Sequence, residues 1–372
     1  GGYIYIGEGQ DLGQFWANMA IGKGKIQKVS KNTEITNDND CYSLSGATYG
    51  VYSDKGCTQS VTALITDGNG NTNAVELRAG TYYVKEEKAP KGFQLDKHIY
   101  TLTVNVGETA TLQVGDTPKV TNIGIELFKL DMETSRGIPQ GKATLEGAEF
   151  IWKYYDGYYT RNNLPSTPTR TWTTRTKAEK DNDGTNHYIT RLSDSYKVSG
   201  DSFYTQNGAI CLPLGTITVE EKSAPNGYLL DGAYLHVNGT SEQVTGVYVA
   251  QVTENGERAI LNGGNQYFVS DKVTRGGVKI QKRDLETKDT KPQGNAALKN
   301  VAFTITSLNE NPVLVDGKLY QKNEVVKTIL TGIDGIATTA ADTLPYGRYR
   351  IDESTPPEGY LTNGAVSREF DI

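Results

Sequence analysis

The chain is poor in the residues that build metal centres and disulfide scaffolds. It has three cysteines, three histidines and two methionines in 372 residues. Three cysteines are too few for a disulfide framework. Cys41 and Cys57 are a candidate disulfide in an oxidising compartment, and Cys211, beside Leu212, reads as a core thiol. His98, His187 and His236 are scattered without metal-ligand spacing, so no metal site is expected. Cationic excess is missing too: a net charge of −6 gives no electrostatic case for nucleic acid or an anionic membrane. No apolar run approaches the roughly 20 residues of a membrane span, so no membrane insertion is expected in this segment. No nucleophile elbow, phosphate loop or dinucleotide fingerprint is present. Nothing calls for a cofactor, and turnover of an external substrate is not expected.

What is abundant is strand and turn material. There are 23 tyrosines and 41 glycines, with many Thr and Val, a composition that leans towards β structure. The length exceeds one ordinary core, and about two to four domains are expected.

Four elements recur in order. The first is a strand ending in lysine: Lys25-Ile26-Gln27-Lys28, Ile125-Glu126-Leu127-Phe128-Lys129 and Val278-Lys279-Ile280-Gln281-Lys282. The second is Leu44-Ser45-Gly46-Ala47-Thr48-Tyr49, matched by Leu145–Phe150 and Leu298–Phe303. The third is a strand ending at Glu86, Glu221 or Glu353, followed by the turns Pro90-Lys91-Gly92-Phe93, Pro225-Asn226-Gly227-Tyr228 and Pro357-Glu358-Gly359-Tyr360. The fourth closes two of the repeats as Val120-Thr121-Asn122 and Val269-Ser270-Asp271. Such repetition marks a serial array of β domains.

Side chains on a strand alternate faces. Lys28 therefore shares a face with Ile26, Glu86 with Tyr82 and Val84, and Asn122 with Val120. The second repeat places Lys129, Glu221 and Asp271 on apolar faces in the same way. A single lysine or glutamate is almost never buried without a partner. Three polar side chains sent into one interior therefore point to chemistry among themselves.

Taken in order, the lysine, Leu-x-Gly-Ala-x-aromatic, Glu-x-x-x-Pro-x-Gly-aromatic and Val-x-Asn/Asp elements resemble the CnaB-type (SpaA-type, prealbumin-like) domains of Gram-positive pilins and surface adhesins. The resemblance covers nearly the whole chain. It implies an all-β fold: a tandem array of three CnaB-like β-sandwich domains forming an elongated rod, the third lacking its closing strand. The domains are placed at 21–123, 124–273 and 274–372, with residues 1–20 as the closing strand of a preceding or neighbouring domain. It also implies an autocatalytic isopeptide bond from lysine to Asn or Asp, assisted by the glutamate. Carried over, the sets are Lys28, Asn122 and catalytic Glu86, then Lys129, Asp271 and catalytic Glu221. The buried acid would polarise the target carbonyl and shuttle protons. Holding nucleophile and carbonyl together supplies roughly 7–11 kcal/mol of the barrier.

The third repeat has Lys282 and Glu353 but no acceptor before Ile372, whereas Asn18 stands ahead of the first repeat in an acceptor-like context with Trp16. Two explanations stay open. The chain is an excerpt of a longer array in which Asn18 closed an earlier domain. Alternatively, residues 1–18 of one copy complete the third domain of the next, and Lys282 bonds Asn18 between copies, with catalytic Glu353. Partners are therefore copies of itself head-to-tail or adjacent domains, on an extracellular, cell-wall-attached structure. The expected function is a structural fibre subunit, a pilus shaft or an adhesin stalk. The alternative is a host- or glycan-binding adhesin using an insertion at about 154–206, rich in Tyr154, Tyr155, Tyr158, Tyr159, Tyr188 and Tyr204. Within it Leu164-Pro165-Ser166-Thr167-Pro168 is like a sortase signal but ends in Pro and is discounted. Asp67, Asn69 and Asn71 have calcium-loop spacing without the terminal glutamate and read as a hairpin turn. The joins are short, which predicts stiffness at the first and a slightly looser second.

Overall fold

The computed structural model describes residues 2–5, 11–15, 17–122, 126–237, 243–253, 266–361 and 367–372. Among them the helical turn Thr33–Thr36 is the sole α-helix, and the remainder is strand and turn.

In the first domain two sheets face each other. Ile21–Ser30 lies between Val75–Arg78, antiparallel, and Thr109–Asp116, parallel. The opposing sheet runs Ser60–Ile65, Thr48–Tyr52, Gly80–Lys88, Ile99–Val104, all antiparallel. Ile26, Tyr49, Val51, Val84, Leu102 and Val114 fill the space between them. Burial alternates along Ile21–Ser30 from Gly22 to Lys28, so the lysine follows Ile26 into the core.

The second domain repeats the plan on a larger scale. Its sheets have six and five strands, with Glu126–Asp131 parallel to Gln266–Val273 in one, and Glu149–Tyr155 beside Gly215–Ser223 in the other. The expected surface insertion is largely part of these sheets. Arg170–Arg175 pairs with Glu149–Tyr155, and Asn186–Arg191 pairs with Glu126–Asp131. Tyr154, Tyr155, Trp172 and Tyr204 are buried core residues, while Tyr158 is exposed. The displayed aromatic loop behind the ligand-binding alternative is thus mostly hydrophobic core.

The third domain has a four-stranded sheet, Val325–Leu330, Ala302–Ser307, Arg348–Thr355, Arg368–Asp371, over Val301, Ile305, Val326 and Tyr349. Facing it are short strands, including Lys279–Gln281 paired with Ile336–Thr338. Among the described residues no strand runs parallel to Lys279–Gln281 as one does in the other two domains.

Turns repeat as faithfully as strands. Gly92, Gly227 and Gly359 have φ of +83°, +86° and +83°, a conformation that only glycine adopts without strain. Each lets the following aromatic residue hydrogen-bond back to its proline.

The domains are joined by contact surfaces as well as by chain. Ile35, Cys41, Tyr42 and Phe93 of the first domain share one core cluster with Tyr154, Cys211 and Leu214 of the second. Asn39 donates to the Tyr154 hydroxyl (2.9 Å) and the Leu214 carbonyl (3.1 Å). Val120–Asn122, at the end of the expected first domain, pairs with Ala209–Pro213 of the second. The join expected to be looser is also locked. Arg275 donates to both oxygens of Glu133 and to the carbonyls of Leu314 and Thr343, each carbonyl at 2.9 Å. All three cysteines are free thiols. Cys41 lies in the junction core and Cys57 in a tight turn with φ +53°, so the candidate Cys41–Cys57 disulfide does not form.

Candidate functional site: buried lysine–carboxylate clusters

Alternation carries Lys28 on the first strand and Glu86 on Gly80–Lys88 into the same interior. Lys28 Nζ donates to Glu86 Oε1 at 2.6 Å, to the Tyr49 hydroxyl at 2.8 Å, and to Asp116 Oδ2. All three side chains of the Lys–Glu–Asp set are sealed from solvent. The remaining Glu86 oxygen accepts the Asp96 N–H at 2.7 Å.

The third member differs from the expected one. Asp116, not Asn122, meets Lys28. In the parallel pairing Lys28 stands opposite Val114, which sets Asp116 two residues further along on the same face. Asn122 lies on the strand that has left for Cys211 of the second domain. Val114-Gly115-Asp116 reads like Val269-Ser270-Asp271, and that likeness was the available signal.

The second cluster has the same register. Lys129 stands opposite Val269, and Asp271 follows two residues on. Lys129 Nζ donates to Glu221 Oε2 at 2.6 Å. It also stands 2.6 Å from Asp271 Oδ1, a charge contact outside hydrogen-bond alignment. Sequence reasoning thus named all members of this set.

An aromatic ring that it did not assign a role covers each ammonium. Tyr49 and Phe150 lie directly across from Glu86 and Glu221 in the strand pairing, each next to a bulge. Their centroids are 5.3 and 5.8 Å from the respective Nζ, within cation–π range. This accounts for the aromatic that ends the Leu-x-Gly-Ala-x-aromatic element.

Electrostatics favour a retained proton. Burial pushes the Asp116 carboxyl up to about 6, against the opposing pull of Lys28. Burial likewise pushes Glu221 up to about 8, with Lys129 opposing and Asp271 reinforcing the shift. Asp116 also shares a hydrogen bond with the Glu86 carboxyl, and Glu221 with the Asp271 carboxyl, which adds to each upward shift. A buried pair of carboxyls sharing a proton beside a primary amine is set for proton exchange and acyl chemistry. Among the described residues no cluster of side chains suits a metal ion.

The third cluster is a pair. Lys282 Nζ donates to Glu353 Oε2 at 2.7 Å, and Phe303 lies across from Glu353. The lysine side chain remains 19% exposed, and no other described carboxylate forms an ion pair with it. Asn18 is exposed in the irregular stretch 17–20 and makes no described contact with Lys282 within the chain. Trp16, its expected face-mate, lies outside the described residues, while Gly2–Tyr5 and Asp11–Phe15 form a hairpin.

Known proteins match this architecture. The family model of the SpaA prealbumin-like fold domain matches residues 22–118 and 278–372. The trypsin-resistant surface T6 protein of Streptococcus pyogenes serotype M6 is 32% identical over 97 residues, covering 26% of this chain and 16% of that protein. Among solved structures, the Bacillus anthracis TIE protein aligns with a TM-score of 0.53 at 23% identity, over 95% of this chain and 48% of that one. BcpA, the major pilin subunit of Bacillus cereus, aligns at 16% identity with a TM-score of 0.30, over 95% of both chains. The chain therefore spans less than half the length of the first two of these relatives. With two matched regions that together cover just over half of its length, the chain belongs to the SpaA prealbumin-like domain family.

Proposed function

We propose that the chain is a structural segment of a Gram-positive cell-surface fibre, a pilus shaft or an adhesin stalk, whose first two domains close autocatalytic isopeptide bonds. One observation carries the reading: Lys28–Glu86–Asp116 and Lys129–Glu221–Asp271 are built in the same parallel register and sealed from water. The neutral amine of the lysine attacks Cγ of the aspartic acid. The carboxyl OH departs with a proton as water, and the glutamic acid relays the proton released by nitrogen. Each bond forms once, as self-processing. The relatives that include a pilin subunit and a streptococcal surface protein support the cell-surface setting.

Intact-mass measurement of the purified chain tests this. The expected mass is two waters below that of the unmodified sequence. Glu86→Gln or Glu221→Gln should each restore one of them. Full unmodified mass after prolonged incubation removes the cross-linking claim.

For the third domain we propose that the missing partner of Lys282 comes from a neighbouring copy, through Asn18 on a donated strand, with loss of ammonia. The supporting observation is that Lys282 and Glu353 are paired without a third carboxyl or amide among the described residues. Denaturing electrophoresis should show a ladder of multiples that Lys282→Arg abolishes.

A further inference from the structure

The first two clusters share lysine, glutamate, aspartate and register, and they differ in the residue that stands across from the glutamate. It is Tyr49 in the first domain and Phe150 in the second. Phe303 holds that place in the third. Tyr49 is fully buried, so its hydroxyl needs partners within the core. It accepts a hydrogen bond from Lys28 Nζ at 2.8 Å and shares another with Glu86. Burial and the neighbouring Glu86 and Asp116 carboxyls push this phenol far above its ordinary value, so it is a neutral hydroxyl at any physiological pH.

The consequence lies in where the N–H bonds of each lysine point. An ammonium has three donors and no lone pair. At Lys28 all three are placed, on Glu86 Oε1 (2.6 Å), on the Tyr49 hydroxyl (2.8 Å) and on Asp116 Oδ2. If the nitrogen passes a proton to the paired Asp116 and Glu86 carboxyls along its contact with Asp116, a lone pair replaces the N–H that faced that carboxyl. The other two N–H bonds stay on Glu86 and Tyr49 and keep the amine from turning away.

Lys129 is held more loosely. Glu221 Oε2 accepts one N–H at 2.6 Å, and the contact with Asp271 Oδ1 is outside hydrogen-bond alignment. Phe150 offers a ring face at 5.8 Å instead of an oxygen. A ring face attracts a cation through its quadrupole, and that attraction fades once the nitrogen is neutral. A hydroxyl accepts from ammonium and amine alike.

We propose that Tyr49 is a positioning residue for closure of the Lys28–Asp116 bond, its hydroxyl aiming the neutral amine at the Asp116 carboxyl carbon. This rests on the isopeptide reading and adds to it a group outside the lysine, glutamate and aspartate. Lys28 Nζ bonds Asp116 Cγ, the carboxyl OH leaves with a proton as water, and Tyr49 keeps its own proton throughout.

The test follows closure in time. The whole chain, synthesised and held unfolded in urea, is diluted into folding buffer, and the mass of the fragments carrying Lys28 and Lys129 reports each bond separately. Tyr49→Phe should slow closure of the first bond roughly tenfold, as for one lost hydrogen bond to the reacting group. The second bond should keep its rate, and so should folding itself, followed by circular dichroism. Phe150→Tyr should hasten the second bond and leave the first alone. A first-bond rate that Tyr49→Phe leaves unchanged, or one that falls only in step with folding, overturns the proposal. If Tyr49→Phe does not fold, a second-bond rate unmoved by Phe150→Tyr overturns it instead. Bonds that close indifferently to both changes leave the isopeptide reading standing, whereas an unmodified chain that folds and never loses water removes both.

Discussion

Asp116 and Glu221 are raised carboxylates, so each holds a proton in the folded chain that the unfolded chain releases at lower pH. The stability linked to that proton is complete below the unfolded value and is lost as pH rises through the folded one. For Asp116 the window runs from 3.8 to about 6, and for Glu221 from 4.5 to about 8. In a Lys28→Arg chain, where the proposed bond cannot form and Glu86 stays beside Asp116, the first domain should therefore lose melting temperature from pH 4 to pH 6 relative to Lys28→Arg/Asp116→Asn. Equal profiles for the two variants would sink this assignment. At this scale the lysines and glutamates were legible because a period of two suffices to send them inward. The first acceptor was not, since both Val114-Gly115-Asp116 and Val120-Thr121-Asn122 satisfy alternation. What separates them is the parallel partner of Lys28, and strand pairing over such a span leaves no local trace.

Each domain also contains a buried threonine that ties its second element to the neighbouring strand. Thr66, Thr176 and Thr331 donate to the carbonyls of Leu44, Leu145 and Leu298, and accept the N–H of Ala47, Ala148 and Val301. Thr176→Val or Thr331→Val strands a buried donor and a buried acceptor, at a cost of about 1–3 kcal/mol. The urea midpoint of the affected domain should fall accordingly, and an unchanged midpoint would show the clamp to be incidental. The threonines are invisible in the chain because their neighbours, Asp67, Lys177 and Gly332, share no pattern. The insertion misled for a related reason. Arg170-Thr171-Trp172-Thr173-Thr174-Arg175 has the polar–aromatic composition of a binding loop, yet packing puts Trp172 at full burial. Composition alone does not separate a half-buried strand from a displayed one.

Across the whole molecule the junctions are spaced with the lysines. Asn39, Gln140 and Gln293 each lie 11 residues beyond Lys28, Lys129 and Lys282, and the first two bond to the following domain. The buried lysines and the domain-joining residues thus travel on one continuous segment. Arg275→Ala should uncouple the second and third domains, leaving Glu133 partly buried without its cation, a loss of about 2–4 kcal/mol at the junction. Calorimetry should then resolve separate transitions, with new proteolysis near Thr274, while unaltered cooperativity would deny Arg275 this role. The parallel pairing of Lys23–Ser30 with Thr109–Asp116 has a mechanical consequence. Chain enters this pair at the Lys23 end and leaves at the Asp116 end. Tension on the termini therefore loads all the inter-strand hydrogen bonds together in shear, instead of peeling them apart one by one. With the proposed Lys28–Asp116 bond closed, the load would cross from the first strand to the last at that point, and the residues between them in sequence would stay slack.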